Sequence, residues 1–450
     1  MISITILFFM WGFITSLNDI LIPYLKNVYC LSHFEANIVQ FAFFIAYFIG
    51  SLAFFFWSKS GKDTITKYGY KITLVIGLVV ASVACFLFAM SAKAQLSFGF
   101  FLAALFILGL GLTFLQIAAN PFVARIGNSN TASSRLNLSQ AFNSLGTTLG
   151  PALGGYFIFS YFLKDSTGAS AVIVPYFFLS ALLLLLAVFI FLSKINDKLE
   201  TETDEANIKN EKPIWKKPYV LLGALGIFFY VGGEVAVGSN LVSFLKETAQ
   251  MPENIASSFL SYYWGGAMIG RFLGAVSLSN MKSETKIGNM IVLAWIGFLV
   301  VFIVNYYLNG LDFIQVAMFL AFLILNFGCS LLSDGKSEKA LAIFSVVNII
   351  LIVLGITMSG NIAIWALLSI GLFNSIMWSN VFTLAIDKLG NQTAEASSIL
   401  IMMILGGALL PPLQGWLADF TNIRLSFLVP MISYIYLLFY GLKGFKIGKS

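Results

Sequence analysis

Residues 2–25 read ISITILFFMWGFITSLNDILIPYL, an apolar run with one carboxylate, Asp19, in the stretch Leu17-Asn18-Asp19-Ile20-Leu21-Ile22-Pro23. As a helix, a run of this length crosses about 30 Å of hydrocarbon. A carboxylate at the bilayer centre costs about 2.5–3.5 kcal/mol on insertion scales, so such a group faces a cavity or a partner and tends to carry function. The bland alternative is a buried Asp capping a helix broken before Pro23. No basic residue precedes the run and no small-residue cleavage site follows it, so it reads as a retained helix and not a signal peptide.

Moving outward, the pattern repeats along the chain. Hydrophobic residues make up 59% of the 450 residues and charged ones 10%, with a mean hydropathy of +0.91. Soluble domains of this size are not composed this way. Outer-membrane barrels alternate over ten-residue strands, whereas the runs here are near-continuous. The expectation is an all-α polytopic membrane protein. Fourteen apolar segments are predicted, at about 3–25, 36–57, 71–91, 97–123, 136–160, 171–193, 217–245, 255–279, 286–308, 312–332, 340–358, 361–386, 395–418 and 424–443.

With the N-terminus inside, only Lys26, Lys93, Lys164, Lys246 and Arg424 of the 26 Lys and Arg fall on outer loops. The positive-inside rule therefore places both termini in the cytoplasm. The net charge of +6 is this lysine excess and calls for no nucleic acid. The polar stretch 194–217 mixes Lys with Asp and Glu and reads as a solvated cytoplasmic linker. It divides an N-terminal six-helix half, 1–193, from a C-terminal half, 218–450.

The halves read as repeats. Shifted by 220, Phe8-Phe9 falls on Phe228-Phe229, Gly12 on Gly232, Leu25-Lys26 on Leu245-Lys246, and Ile49-Gly50 on Ile269-Gly270. Further on the register becomes 260: Gly111-Leu112 meets Gly371-Leu372, Asn120 meets Asn380, and Pro151 meets Pro411. The jump of about 40 predicts an inserted helix pair at about 283–332. An even number of added helices preserves the orientation of all that follows. The parent plan is two parallel six-helix halves, which place a substrate site at midplane between them.

Polar residues inside the segments mark that site. Gln116 and Asn120 are four apart on one helix face, and Gln140 and Asn143 three apart on another. Amides that both donate and accept suit a polyhydroxylated ligand such as a sugar. The competing reading is interhelical hydrogen bonding. Trp11, Tyr47, Tyr263, Trp264 and Trp378 are candidates to stack on an apolar sugar face. Asn18, beside Asp19, and Asn374 join the candidate sugar ligands. Glu234 lies among Gly232, Gly233 and Gly238; it can couple a proton or pair with a cation such as Arg271. Gly61-Lys62-Asp63 lies in a basic loop, either an ordinary positive-inside loop or an inner gate.

Other chemistries are excluded. Cys30, Cys85 and Cys329 form no metal pattern or disulfide framework, and His33 falls in a short loop. The terminal Gly-Lys-Ser lacks the spacing of a nucleotide-binding loop, and no nucleophile elbow occurs. No enzyme, cofactor or metal site is expected.

Six stretches resemble the fucose–galactose–glucose:proton symporter family of the major facilitator superfamily. They are Asn18-Asp-Ile-Leu-Ile-Pro23, Leu115-Gln-Ile-Ala-Ala-Asn-Pro-Phe122, Arg135-Leu-Asn-Leu-Ser-Gln-Ala-Phe-Asn143, Tyr263-Trp-Gly-Gly-Ala-Met-Ile-Gly-Arg-Phe272, Gly371-Leu-Phe-Asn-Ser-Ile-Met377 and Gly406-Gly-Ala-Leu-Leu-Pro-Pro-Leu-Gln-Gly415. The resemblance implies a proton-coupled hexose importer working by alternating access, with Asp19 as proton carrier and Gln140 on the sugar. Fucose-type members carry a carboxylate where this chain has Gln116, and the amide resembles the glucose/galactose branch. The inserted pair departs from the family pattern. The expected partners are a hexose, a proton and the lipid bilayer. The expected state is a monomer in a bacterial inner membrane. A uniporter, a sodium-coupled transporter, a sugar sensor and an exporter of the same superfamily are the rivals.

Overall fold

A computed structural model describes residues 2–31, 33–59, 64–126, 131–155, 168–193, 213–251, 253–279, 281–310, 313–387, 389 and 392–449. The loop with Gly61-Lys62-Asp63 and most of the linker, 194–212, lie outside the described residues.

The chain is helical throughout its described length, because each apolar run must satisfy its own backbone hydrogen bonds in lipid. The first helices are α1 (Ile2–Tyr29), α2 (His33–Lys59), α3 (Thr64–Lys93), α4 (Phe98–Arg125), α5 (Ala132–Gly155) and α6 (Ile173–Leu192). After the linker come α7 (Pro218–Ala249), α8 (Glu253–Ser277), α9 (Ser283–Asn309), α10 (Phe313–Leu332) and α11 (Ser337–Thr357). The chain finishes with α12 (Gly360–Asn374), α13 (Met377–Ile386), α14 (Thr393–Met402), α15 (Gly406–Phe420), α16 (Ile423–Ser426) and α17 (Leu428–Leu442). Pro218 opens α7 at a position that lacks an intrahelical acceptor.

Among the described residues, ten helical stretches are long and apolar enough to cross a membrane, with shorter apolar stretches at Ile4–Leu17 and Val316–Leu332. The protein is thus a multi-pass membrane protein. α5 and α8 fall outside the ten because their faces carry amides, hydroxyls, glycines and Arg271. Three expectations shift. His33 starts α2 instead of lying in a loop. The segment expected at 361–386 is interrupted between α12 and α13 at Ser375-Ile376. The segment at 395–418 passes through a 3-10 turn at Met403–Leu405 before Gly406.

Small residues set the closest approaches. α1 packs along α5: a Cβ on Gly146 would overlap the Phe9 carbonyl oxygen, and one on Gly12 the Asn143 carbonyl. α7 packs on α15 the same way, with Gly406 against the Phe228 carbonyl. Contact between backbones gains dispersion energy where lipid offers no hydrophobic driving force. Early in the chain α2 packs on α4, and α3 on both α4 and α6. Later, α8 packs on α12, and α11 on both α12 and α17. The two sets are joined where α5 lies on α8 and where α2 lies on α14 and α15.

α9 and α10 form a hairpin on the flank of α8 and α12. Asn305 Nδ2 donates to Ser261 Oγ on α8 at 2.6 Å, and Phe319 meets Trp365 of α12 at 5.9 Å between ring centroids. Asn326 Nδ2 donates to the Leu372 carbonyl at 3.0 Å, next to the α12–α13 break. The outer face of the hairpin is apolar and exposed, with Trp295, Ile303 and Ile314 among its side chains.

Candidate functional site

α1 runs against α5 and touches α2 and α4, so candidates from three other helices converge on it. Asn18 and Asp19 lie on α1, but their side chains are outside the described residues. One turn and more before them, Trp11 is buried and packs against Phe8 at 5.3 Å. The Tyr47 phenol of α2 is fully buried within hydrogen-bonding reach of both Gln116 and Trp11. Gln116 is 4% exposed and Gln140 6%. The structure therefore joins Trp11, Tyr47 and Gln116, which the sequence named separately. The hydroxyl and amide each keep capacity to donate and accept.

Asn143 is committed differently. Its Nδ2 donates to the Phe8 carbonyl at 3.0 Å, fastening α5 to α1. Asn120 is fully buried and, among the described residues, neither amide atom has a hydrogen-bond partner; the same holds for Asn137 and Asn380. Asn120 and Asn380 are the pair matched by the 260-residue shift. A buried amide without partners forfeits its full desolvation energy, so each must gain from another state, from water or from a ligand.

A second polar cluster lies on α7, α8, α11 and α12. Arg271 Nη2 is 3.3 Å from Glu234 Oε1, with both side chains buried. Tyr230 donates its hydroxyl to the same Glu234 oxygen at 2.6 Å. Tyr263 OH donates to the Glu234 carbonyl at 2.7 Å, and Asn374 Nδ2 donates to the Tyr263 oxygen at 2.9 Å. Asn348 Nδ2 in turn donates to Asn374 Oδ1 at 3.0 Å. Arg271 Nε reaches the Ser375 carbonyl at 3.0 Å, an acceptor freed by the α12–α13 break. Its Nη1 crosses to α5, donating to Ser144 Oγ and, at 3.4 Å, to the Gln140 carbonyl. Glu234 thus pairs with Arg271, one of the two roles the sequence left open.

Trp378 is buried and stacks on Phe382 with centroids 5.0 Å apart and planes 12° off parallel, so one ring face is covered. Trp264 meets Tyr263 edge-on at 5.0 Å. Sequence reasoning missed Tyr230, Ser144, Ser375 and Asn348. Tyr230 sits four residues before Glu234, a helical spacing that gave a usable signal. The others are brought in by folding alone. Among the described residues no group of three or more His, Cys, Asp or Glu is placed to hold a metal.

The model of the Major Facilitator Superfamily matches residues 4–335. The chain is 41% identical to a glucose/galactose transporter of Brucella abortus, over 99% of this chain and 93% of that protein. It is 38% identical to a putative glucose/galactose transporter of Helicobacter pylori, over 99% and 96%. The L-fucose-proton symporter of Escherichia coli is 25% identical over 95% and 89%. A crystal structure of the Escherichia coli fucose:proton symporter superposes with a TM-score of 0.69 at 24% identity, covering 98% of this chain and 97% of that one; a further one, in the outward conformation, matches equally well. At that identity the likeness speaks to fold. Taken with the helical architecture, these matches make the chain a member of the Major Facilitator Superfamily, in its fucose–galactose–glucose:proton symporter family.

Proposed function

We propose that this protein is a secondary active sugar transporter, importing a hexose together with a proton by alternating access. The observation that carries it is the grouping of Gln116 and Tyr47 with Trp11 of α1, the helix that bears Asp19. An amide, a phenol and an aromatic face suit a pyranose, and the glucose/galactose transporters to which the chain is similar fit that ligand. The proton is supported by the family's L-fucose-proton symporters. With Gln116 unable to titrate, coupling rests on Asp19.

In this reading Asp19 takes a proton from outside and becomes neutral, which lowers the cost of occlusion. Gln116 and Gln140 hold the sugar, with Asn18 and Asn120 at its margins. Asn143 offers Oδ1, its Nδ2 being spent on Phe8. Asn374 and Trp378 border the site from the other side, and Glu234 balances Arg271. One proton crossing 100 mV supplies about 2.3 kcal/mol, enough for roughly 50-fold accumulation.

The moving parts are the halves 1–193 and 218–450, joined by the linker 194–217. Their likeness is supported by matched packing: α1 with α5 and α7 with α15, α2 with α4 and α8 with α12, α3 with α6 and α11 with α17. The pairing leaves out α9 and α10, which supports an inserted pair at about 283–332 and fourteen spanning segments in all. The lysine distribution supports cytoplasmic termini, and the bacterial relatives support an inner-membrane location. The working unit is a monomer.

The test is external pH in de-energised cells expressing the chain, on adding D-glucose, D-galactose, L-fucose or mannose. Alkalinisation with one sugar is expected. Labelled sugar entering without alkalinisation refutes proton symport in favour of uniport or sodium coupling. Asp19→Asn is expected to lose uphill uptake and keep sugar exchange; unchanged accumulation removes Asp19 from coupling.

A further inference from the structure

We infer that Arg271 is a positioning residue: its guanidinium latches the sugar-binding helix α5 to the C-terminal helices, and its bonds to α5 are among those that must break when α5 and α8 part. The inference rests on the alternating-access reading and adds to it a named residue that sets which state is favoured.

From α8 this one side chain reaches two other helices, α7 and α5, and the α12–α13 break. Ser375 lies at the α12–α13 break, and Glu234 and Tyr230 lie on α7. These partners belong to the C-terminal part, which moves as a body with α8. The other two, Ser144 Oγ and the Gln140 carbonyl, belong to α5. Of the bonds Arg271 makes, separation of the halves therefore costs those to α5. Glu234 remains as its counter-charge in either state. The planar fork supplies the geometry: Nε and Nη2 hold the resident partners while Nη1 points across the interface.

The latch is attached to the ligand site through one residue. Gln140 offers its side chain to sugar and its carbonyl to Arg271. A shift of α5 that seats Gln140 on a hexose changes the Arg271 bond by the same displacement. Near the same contact, Ser134 Oγ donates to the Ala275 carbonyl at 2.7 Å. Asn137 there is fully buried, with its Cγ 3.9 Å from where a Cβ on Gly274 would sit.

Asn137 supplies the reporter. In a background with Cys30 and Cys329 replaced by Ser, Asn137→Cys is alkylated by a membrane-permeant maleimide and read by mass spectrometry. Buried Cys85 on α3 reports general loosening in the same molecule. Arg271→Gln is expected to raise labelling at position 137 about tenfold without sugar, the population shift equivalent to one lost charge-assisted hydrogen bond. Ser144→Ala is expected to raise it about threefold, and Arg271→Lys, a point charge without the fork, to fall between wild type and Arg271→Gln. Cys85 labelling is expected to stay level. Unchanged labelling at 137 in Arg271→Gln and Ser144→Ala, or a parallel rise at Cys85, overturns the latch. If Arg271→Gln does not fold, Ser144→Ala, which removes one hydroxyl, decides alone. The alternating-access reading is judged separately, by whether wild-type labelling at 137 responds to hexose.

Discussion

Gly146→Ala tests the packing that brings the proton helix to the sugar helix. A Cβ at this position would lie 2.7 Å from the Phe13 amide nitrogen and closer still to the Phe9 carbonyl, both backbone atoms of α1. Ordinary contact needs about 3.5 Å, so α1 and α5 must separate by at least about 0.8 Å. Backbone cannot turn aside as a side chain can, and overpacking of this kind costs about 1–3 kcal/mol. Alanine also gains about 1 kcal/mol over glycine within a helix. Gly288→Ala on α9 isolates that gain, because nothing lies within 4 Å of a Cβ there. Thermal unfolding in detergent should therefore place Gly146→Ala about 1–3 kcal/mol below Gly288→Ala. Uptake should suffer too, since α1 carries Asp19 and α5 carries Gln140. If both variants melt together, the α1–α5 approach is looser than described and the reasoning fails.

Other perturbations separate the remaining roles. Glu234→Leu strands the buried Arg271 charge and should cost about 3–5 kcal/mol, while Glu234→Leu with Arg271→Met should recover most of it; a double variant no more stable than the single contradicts the pairing, as read by melting. Asn380→Leu replaces an amide with no partners by an apolar side chain of similar size and should stabilise by about 1–3 kcal/mol, whereas a fall in melting temperature reveals a partner. Asn326→Leu frees a carbonyl that Ser375 Oγ also serves. Its cost should stay near the 0.6 kcal/mol average for such bonds, and faster amide exchange around Ser375 should report it.

Much of this molecule was legible in its sequence because lipid imposes a simple rule on composition. Apolar runs gave the helices, α9 and α10 among them. Asp19 and Glu234 stood out because carboxylates are costly in a membrane. The interruption at Ser375-Ile376 was hidden, since neither glycine nor proline sits there; the break is held by Arg271 and Asn326 reaching in from other helices. The junction of Tyr47 with Gln116 was hidden for the same reason. Sixty-nine residues separate them, and only the packing of α2 on α4 closes that gap. Asn143 shows the limit of spacing arguments. It shares a helix face with Gln140, yet its amide is fixed to the α1 backbone.

The α9–α10 hairpin has a consequence for biogenesis. The span Gly360–Ile386 is the least apolar of the ten, and the stretch from Ala363 to Phe382 is buried throughout. The span Ser283–Tyr307 of α9 is more apolar and is the least buried of the ten. The ribosome delivers the oily helix first. By the time Ser369 and Asn374 leave the translocon, a protein wall already stands where they would otherwise meet acyl chains. A chain in which α8 is fused directly to α11 would have to insert the span Gly360–Ile386 without that hairpin beside it.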